Sequence, residues 1–324
     1  MIPNVTEIRK LKVCGSSAGT TEYCCSKVKQ TVKFKSDQGV SLASHKNINL
    51  INNRKCGKFS NDRIIGGSDV KVGSMPWMAL LNYKNFENVQ GFKCGGSLIS
   101  PKYVLTAAHC DQIRGFNLFA VRLGEHRIST ELDCVNASNP KTCNTDKPPI
   151  QDIEIEKTIV HENFAFDKNN DIALLLLKSE VILTGRKFVG TICLPVRYNQ
   201  TVDAVMEEEK VVLMMTVAGW GYSEKNLGNI SDVLKFVEIP YVPNKQCNDI
   251  SENLMCAGGN KADACSGDSG GPLTCFAQND REIYKNFQQG IVSRGTDCAT
   301  TNNDPGIYTR IFSYVQWILD NLEE

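Results

Sequence analysis

The sequence predicts an all-β protein with one short helix near its end, and two patterns lead to this prediction. From Ile64 onward, short segments rich in β-branched residues alternate with turns of Gly, Pro and Asn. Strands at this spacing are typical of an antiparallel barrel or sandwich. Val315, Ile318, Leu319 and Leu322 recur at helical spacing. This second pattern predicts an amphipathic helix packed on the strands.

Each predicted strand is a short segment rich in β-branched residues between turn residues. The predicted strands are residues 104–108, 119–123, 153–160, 171–177, 211–220 and 287–293. No apolar run reaches the roughly 18 to 20 residues that a membrane helix needs. The sequence therefore gives no reason to expect a membrane partner.

Charge and length restrict the function classes only weakly. The chain has 324 residues, with 36 basic and 36 acidic side chains and no run of like charges. This balance gives no reason to expect a nucleic acid partner. The length suits either two domains or one large domain with an appendage.

Fourteen cysteines predict disulfide bonds and a secreted protein, because a reducing cytosol would keep so many thiols free. Four glycosylation sequons agree with secretion and begin at Asn4, Asn136, Asn199 and Asn229. Residues 1–12 contain charges and no apolar core, so they do not form a signal peptide. We therefore expect the natural start to lie upstream.

Composition divides the chain into three parts. Residues 1–25 contain Cys14, Cys24 and Cys25, whereas residues 26–63 are polar and poor in aromatic side chains. Such a composition is typical of a linker. Residues 64–324 hold the predicted strands and helix.

Ser269 is the candidate nucleophile. It lies in Gly-Asp-Ser-Gly-Gly-Pro, residues 267–272. The glycines permit a tight turn that exposes the hydroxyl and lets backbone amides face a developing oxyanion. A glycine and serine turn without chemistry is the alternative when this motif stands alone.

His109 and Asp171 are the candidate partners of the serine. A serine hydroxyl needs a neutral imidazole to accept its proton, and the chain has only four histidines. His109 ends an apolar run in Thr-Ala-Ala-His-Cys, and Asp171 opens another in Asn-Asn-Asp-Ile-Ala-Leu-Leu. A carboxylate in that position can orient the imidazole.

These three motifs resemble those of the chymotrypsin-like, trypsin-type serine proteases over residues 64–324, and their order along the chain is the order of that family. The resemblance implies two six-stranded antiparallel barrels and a terminal helix. It makes His109 the general base, Asp171 its orienting carboxylate and Ser269 the nucleophile. The amides of Gly267 and Ser269 would form the oxyanion hole, and no cofactor is needed for catalysis.

The resemblance also implies an activation switch and a specificity pocket. Cleavage after Arg63 would free the amine of Ile64, which then pairs with the carboxylate of Asp268. Asp263 would form the base of a pocket for a substrate Arg or Lys. The residues of its open walls would be Gly295 and Gly306. Arg294 departs from the family, which has an aromatic residue between Ser293 and Gly295.

The cysteines add to the resemblance. Family positions imply the pairs Cys94–Cys110, Cys247–Cys256, Cys265–Cys298, Cys134–Cys143 and Cys56–Cys193. The loop closed by Cys247–Cys256 is shorter than usual. Cys275 stands where relatives often have a bridge, but Met215 occupies the partner position.

The first 25 residues resemble the last part of the clip domain of arthropod clip-domain proteases of the easter and prophenoloxidase-activating type. The match rests on the spacing of Cys14, Cys24 and Cys25, together with a linker that carries Cys56 and the insertion that contains Cys134 and Cys143. A complete clip domain has six cysteines, of which only the last three are present. Such proteases act in extracellular cascades that lead to melanisation or to the processing of a Toll ligand. The alternatives are a venom protease and a non-catalytic homologue that acts as a binding cofactor.

The implied partners are a protein substrate with Arg or Lys at the cleavage site, an upstream activating protease and serpin inhibitors. Glu125 begins the loop that binds calcium in many relatives, and oxygen ligands in this loop would suit that ion. A structural calcium ion and a lone surface glutamate are both compatible with the sequence.

Overall fold

The computed structural model describes most of the chain from residue 42 onward and a short hairpin before it. The described residues are 13–17, 20–23, 42–52, 55–58, 70, 72–133, 150–164, 169–184, 188–203, 213–221, 230–247, 250–259, 268–278, 284–294 and 304–323. In the leading part, β1 (Val13–Ser17) pairs antiparallel with β2 (Thr20–Tyr23).

Six strands close the first barrel in the order β3-β4-β5-β8-β7-β6. They are β3 (Met78–Lys84), β4 (Gln90–Ser100), β5 (Tyr103–Thr106), β6 (Asn117–Leu123), β7 (Gln151–Val160) and β8 (Ala173–Leu177). All residues of β5 and β8 are buried. Their unbroken apolar runs place these two paired strands in the centre of the core.

Six further strands close the second barrel in the order β10-β11-β14-β13-β12-β9. They are β9 (Met214–Gly219), β10 (Lys235–Val242), β11 (Leu254–Ala257), β12 (Pro272–Gln278), β13 (Tyr284–Arg294) and β14 (Gly306–Arg310). Every pairing within the two barrels is antiparallel. The prediction of a double six-stranded barrel is confirmed.

The predicted terminal helix is also confirmed. A 3-10 turn (Ile311–Tyr314) leads into α1 (Val315–Asp320). The four residues at helical spacing are all buried in the main hydrophobic core. Their burial fixes the end of the chain against the strands, as the amphipathic pattern requires. In the part of the chain that the structure describes, the helices are too short or too polar to pass through a lipid bilayer.

Part of the predicted linker packs on the body of the protein. Residues 42–52 contain two 3-10 turns, Leu42–Ser44 and Ile48–Leu50. The Asn47 side-chain amide donates to the carbonyls of Leu319 and Leu322, at 2.9 and 2.7 Å. Ile51 is buried in the main core as well. Composition alone did not show this docking, because polar residues surround these few buried positions in the sequence.

The two barrels meet through polar contacts as well as apolar ones. The Ser97 hydroxyl on β4 donates to Gln288 Oε1 on β13 at 2.6 Å, and both side chains are fully buried. Cys193 forms an isolated parallel β-bridge with Phe287 of β13. Buried polar groups that are fully paired fix one relative placement of the packed elements. The candidate site lies at this junction.

Candidate active site

Ser269 lies where the two barrels touch. The Gly95 amide on β4 of the first barrel donates to the Ser269 carbonyl at 2.8 Å. The turn that carries Ser269 leads directly into β12 of the second barrel. The candidate nucleophile is thus held by both barrels.

His109 and Asp171 lie in contact on the first barrel. His109 stands in a 3-10 turn (Ala108–Gln112) that follows β5, and Asp171 comes two residues before β8. Because β5 and β8 are paired, these two strand ends bring the side chains together. His109 Nδ1 lies 2.8 Å from Asp171 Oδ2, and the His109 amide donates to Asp171 Oδ1 at 2.9 Å. Both carboxylate oxygens therefore orient the same residue.

The second barrel completes the surroundings of Asp171. The Ser293 hydroxyl on β13 donates to Asp171 Oδ2 at 2.6 Å, and the Thr309 hydroxyl on β14 donates to the Asp171 carbonyl at 2.8 Å. Asp171 has no solvent exposure. Burial by itself would raise the pKa of Asp171, but the hydrogen bonds and charge of His109, with the bond from Ser293, bring that pKa below its ordinary value. The carboxylate therefore stays ionised at neutral pH.

A carboxylate can only accept hydrogen bonds. Nδ1 of His109 must therefore carry a proton, and this leaves Nε2 as the basic nitrogen of the neutral ring. Nε2 lies 3.8 Å from Cys110 Sγ and makes no hydrogen bond to Ser269 within the described structure. Such contacts are often long in proteins without substrate and shorten when it binds.

The lowered pKa of Asp171 predicts a pH dependence of stability. The stabilisation should be complete above the ordinary aspartate pKa of about 3.9 and disappear as the pH falls through the lower pKa of the folded protein. Urea unfolding between about pH 2 and pH 6 should show this acid loss in the wild type and a flatter curve in Asp171→Asn. Equal acid slopes in the two proteins would contradict the prediction.

The backbone at Ser269 needs glycine on its carboxyl side. Gly270 has a φ of 77°, which L side chains rarely adopt, and an added Cβ would collide with Thr106 Oγ1 and the Gly95 carbonyl. The turn therefore packs directly on Thr106, the last residue of β5, three residues before His109. Within the described residues, the Ser269 amide donates to no acceptor. This N–H is available to a substrate oxygen.

Two glycines surround the carboxylate of Asp268. The Gly221 amide donates to Asp268 Oδ1 at 2.8 Å. A Cβ at either Gly219 or Gly221 would collide with the carboxyl group. The sequence Gly-Trp-Gly, residues 219–221 at the end of β9, thus leaves room for a charged side chain beside the nucleophile. Ile64 and Arg63 lie outside the described residues.

The remaining predicted site residues are only partly described. Gly306 is buried at the start of β14, opposite Ala257 of β11. Asp263, Gly267 and Gly295 lie outside the described residues, so their predicted roles stay predictions. The same holds for the sequons at Asn4, Asn136 and Asn229, while Asn199 stands in a 3-10 turn (Tyr198–Gln200).

The structure contains three of the five disulfides that the resemblance implies. Cys94–Cys110 joins β4 to the 3-10 turn of His109. Cys56–Cys193 joins the leading segment to the body across a sequence separation of 137, and Cys247–Cys256 closes a short loop. Cys134–Cys143 and Cys265–Cys298 fall on residues that are not described. Cys275 is buried on β12, opposite Phe287.

Neighbouring cysteines and a histidine need not indicate a metal centre here. Among the described residues, one group of three Cys, His, Asp or Glu side chains is close enough to hold a metal ion, and it consists of Cys94, His109 and Cys110. Its two sulfur atoms are bonded to each other, so neither is a thiolate that could bind the metal.

In the described part of the expected calcium loop, the carboxylate oxygens of Glu125 and Asp133 accept hydrogen bonds from nitrogen. Glu125 Oε2 accepts from Arg122 at 3.3 Å, and Oε1 accepts from the His126 amide at 2.9 Å. The carboxylate of Asp133 accepts from the amides of His126 and Arg127, at 3.0 and 3.1 Å. Burial, together with the charge of Asp133, raises the pKa of Glu125. A calcium ion would compete with these donors for the carboxylate oxygens, and its binding stays a prediction.

Arg122 should contribute to stability through Glu125. Arg122→Met removes the cation beside the buried Glu125 carboxylate, and also the two bonds from the guanidinium to the exposed Asp152, at 2.8 and 2.7 Å. The exposed pair should contribute little, so we expect a loss of about 3 kcal/mol in unfolding free energy, mainly from Glu125, measured with urea. Arg127→Met is the matched control, because its partner Asp232 is 43% exposed, and it should cost below about 1 kcal/mol. Equal losses would contradict the prediction. Recovery of Arg122→Met by calcium chloride and not by magnesium chloride would support a calcium site at Glu125.

The contacts around Asp171 include residues that sequence reasoning did not assign. Ser293 was noted only as a neighbour of Arg294, and Thr309 was not singled out. They lie 122 and 138 residues from Asp171 along the chain. No local pattern connects positions so far apart, and only the closing of the second barrel brings them to the first.

Comparison with known proteins agrees with this geometry. A family model described as Trypsin matches residues 64–318. This range covers both barrels, the 3-10 turn of His109 and the turn of Ser269. The chain therefore belongs to the trypsin family, and the protein is a serine endopeptidase.

The similar proteins are clip-domain serine proteases. Serine protease grass of Drosophila melanogaster is 37% identical over 320 residues, covering 96% of this chain and 78% of that protein. Phenoloxidase-activating factor 3 of Holotrichia diomphalia is 34% identical over 332 residues, covering 99% and 85%. The crystal structure of Drosophila Grass, a clip serine protease of the Toll pathway, matches with a TM-score of 0.72 and 35% identity over 97% of this chain and 84% of that one.

Proposed function

We propose that the protein is a secreted zymogen that is activated by cleavage after Arg63 and then cuts protein substrates after Arg or Lys. It would act in an extracellular proteolytic cascade, such as melanisation or the processing of a Toll ligand. The names of the similar proteins support this cascade role. An upstream protease would supply the activating cut, and serpins are the expected inhibitors.

The arrangement around Asp171 carries this proposal. One ionised carboxylate accepts from the His109 ring, the His109 amide and the Ser293 hydroxyl. The ring is thereby fixed with Nε2 as its free base. In the proposed reaction, Nε2 takes the proton of Ser269 while Oγ attacks the peptide carbonyl, then returns it to the leaving amine. A water molecule then attacks the acyl-enzyme in the same way: Nε2 takes its proton and returns it to Ser269 Oγ as the acid product leaves.

Activation would act through Asp268. The Asp268 carboxylate lies beside Gly219 and Gly221. In the sequence, Asp268 directly precedes Ser269. A new amine at Ile64 would bring a positive charge to this carboxylate. A buried ion pair forms only when both partners are present, so the turn of Ser269 would reach its active geometry only after the cut.

Two arms of one experiment test the proposal. The protein is treated with a protease that cleaves after Arg63, and then a small Arg amide and an organophosphonate are offered. We expect hydrolysis and labelling of Ser269 only after the cut, with Arg63→Gln as the uncleavable control. If the cleaved protein neither hydrolyses the Arg amide nor is labelled at Ser269, the result would favour the non-catalytic alternative.

Specificity for a basic residue should depend on Asp263. Asp263→Ser removes the only proposed charge partner of a substrate Arg, and the preference for an Arg amide over a Phe amide should fall by about 10³-fold in kcat/KM. Glu252→Ser is a suitable control, because Glu252 is an exposed acid two residues before β11. Unchanged selectivity of Asp263→Ser would show that another residue forms the base of the pocket.

Arg294 should modify which substrates are accepted. It is the last residue of β13, directly after the Ser293 that binds Asp171. A guanidinium next to the substrate path favours acidic neighbours of the cleaved residue and disfavours basic ones.

A further inference from the structure

The residue before Asp171 has an uncommon backbone conformation. Asn170 has a φ of 54°, in the left-handed region that asparagine adopts more readily than most L residues. The Ile172 amide donates to the Asn170 carbonyl at 2.8 Å. This bond makes Asp171 the central residue of a three-residue turn. The direction of the Asp171 side chain therefore depends on how Asn170 is held.

The side chain of Asn170 is held from two directions. Its Nδ2 donates to the Asn163 carbonyl at 2.8 Å. A carbonyl can only accept a hydrogen bond, so this contact places Oδ1 at the opposite end of the amide. Asn170 Oδ1 lies 2.9 Å from the Tyr314 hydroxyl, which must be the donor. Both ends of the amide are thus paired, and only one orientation of the amide permits this.

Aromatic packing fixes the ring of Tyr314. Tyr314 is 3% exposed and ends the 3-10 turn before α1. The His161 ring meets the Tyr314 ring edge to face, with centroids 5.4 Å apart, and lies 5.1 Å from the Trp317 ring of α1. The Trp317 indole NH donates to Glu162 Oε2 at 3.0 Å. Because the ring is enclosed in this way, the hydroxyl stays beside Asn170.

The segment that accepts from Asn170 is anchored in the same place. The Asn163 amide donates to His161 Nδ1 at 3.1 Å. The His161 amide donates to the Ile172 carbonyl, also at 3.1 Å. One short segment thus contacts the residues on both sides of Asp171.

The Tyr314 hydroxyl keeps its proton at neutral pH. Burial, together with the negative charge of Asp171, raises the pKa of Tyr314 to about 12. The hydroxyl is therefore a constant donor to Asn170 over the range in which activity would be measured.

A displaced turn would move the carboxylate of Asp171 away from His109. Asp171 Oδ2 lies 2.8 Å from His109 Nδ1. The aspartate side chain is short, so a change in the direction of its backbone moves both carboxylate oxygens. A misplacement of about 1 Å can lower a rate by about 100-fold. Asn170, which helps to set that backbone, therefore affects the reaction.

We infer that Asn170 and Tyr314 are positioning residues for the proposed reaction. The Tyr314 hydroxyl fixes the Asn170 side chain, and Asn170 directs the Asp171 carboxylate toward His109. Neither residue takes part in the proton transfer itself. The segment that follows the second barrel would therefore contribute to catalysis. This inference rests on the proposed function, because it adds residues to the same reaction.

Removal of one hydroxyl group tests the inference. Tyr314→Phe keeps the ring and loses the bond to Asn170. After cleavage at Arg63, kcat for a small Arg amide should fall about tenfold with an unchanged KM, because the contacts of the substrate stay in place. Asn170→Gly tolerates the positive φ without the side chain, and it should lower kcat at least as much. The double variant should lose no more than Asn170→Gly, because both residues act through one contact.

Tyr241→Phe is the matched control. Tyr241 is also a buried tyrosine, and its hydroxyl donates to Asp203 Oδ1 at 2.6 Å. Burial and the charge of Asp203 raise the pKa of Tyr241 to about 12 as well. Tyr241→Phe should lower the urea midpoint at least as much as Tyr314→Phe and keep the wild-type kcat. An unchanged kcat in Tyr314→Phe, or an equal fall of kcat in Tyr241→Phe, would overturn the inference.

The Asp171→Asn background separates positioning from a general loss of stability. In that background, Tyr314→Phe should not lower kcat further, because no carboxylate remains to be directed. The urea midpoint should still fall, since the bond to Asn170 is lost in either background. A further loss of about tenfold in kcat would show that Tyr314 acts by another route and would overturn the inference.

Proton NMR gives a readout without turnover. The proton on His109 Nδ1, which faces Asp171 Oδ2 at 2.8 Å, should give a resonance at low field that is absent from His109→Gln. Tyr314→Phe should shift or broaden this resonance, and Tyr241→Phe should leave it unchanged. An identical resonance in the wild type and Tyr314→Phe would overturn the inference. Failure of the cleaved wild type to hydrolyse the Arg amide would instead count against the proposed function.

Discussion

Replacing Ser269 by alanine should lower kcat for a small Arg amide by about 10⁶-fold. The variant loses the oxygen that would attack the carbonyl, while His109, Asp171 and the backbone amide of residue 269 stay in place. A small residual rate should remain, because the amides can still polarise a bound substrate.

The measurement is the steady-state rate after cleavage at Arg63, together with labelling by an organophosphonate. Ser313→Ala is a matched control, since this exposed hydroxyl lies 3.4 Å from the Glu252 carbonyl, away from the site. The control should retain wild-type activity. Labelling of the Ser269→Ala variant at wild-type speed would identify a different nucleophile.

Replacing Asp171 by asparagine should lower kcat by about 10⁴-fold. The carboxylate accepts from three donors: the His109 ring, the His109 amide and the Ser293 hydroxyl. An asparagine offers one oxygen and one NH₂ group, so one donor would face another donor. The imidazole would then turn or change tautomer, and Nε2 would no longer be the free base.

The control for this change is Asp232→Asn, at an acid that binds Ser129 and Arg127 on the surface. Both variants are compared by kcat between pH 6 and pH 10. Asp232→Asn should follow the wild-type profile, whereas Asp171→Asn should stay low at every neutral pH. A loss below tenfold would mean that another group orients His109.

The strands were predictable where β-branched and aromatic residues are frequent between turn residues. The runs at 119–123, 153–160 and 287–293 fall inside β6, β7 and β13. Strand β8 begins at Ala173 and not at Asp171, because the Asp171 carboxylate turns toward His109. Six strands of the two barrels were not predicted, and these are β3, β4, β10, β11, β12 and β14. In β4, three glycines interrupt the eleven residues.

The core of the candidate site was predictable because its motifs are short and local. His109, Asp171 and Ser269 were each marked by neighbouring residues. The contacts of Asp171 with Ser293 and Thr309 were not predictable, because they cross from one barrel to the other. The docking of Asn47 onto the last helix was missed for the same reason, as it joins residues 272 positions apart.

The position of Asp171 between the barrels makes proteolysis a property of the assembled molecule. Its side chain faces His109 of the first barrel, while its hydroxyl donors come from the second. A chain in which only one barrel has folded would have no oriented imidazole and no supported nucleophile. Partly folded molecules would therefore have no proteolytic activity in the cell that makes them, even if the bond after Arg63 were cut early.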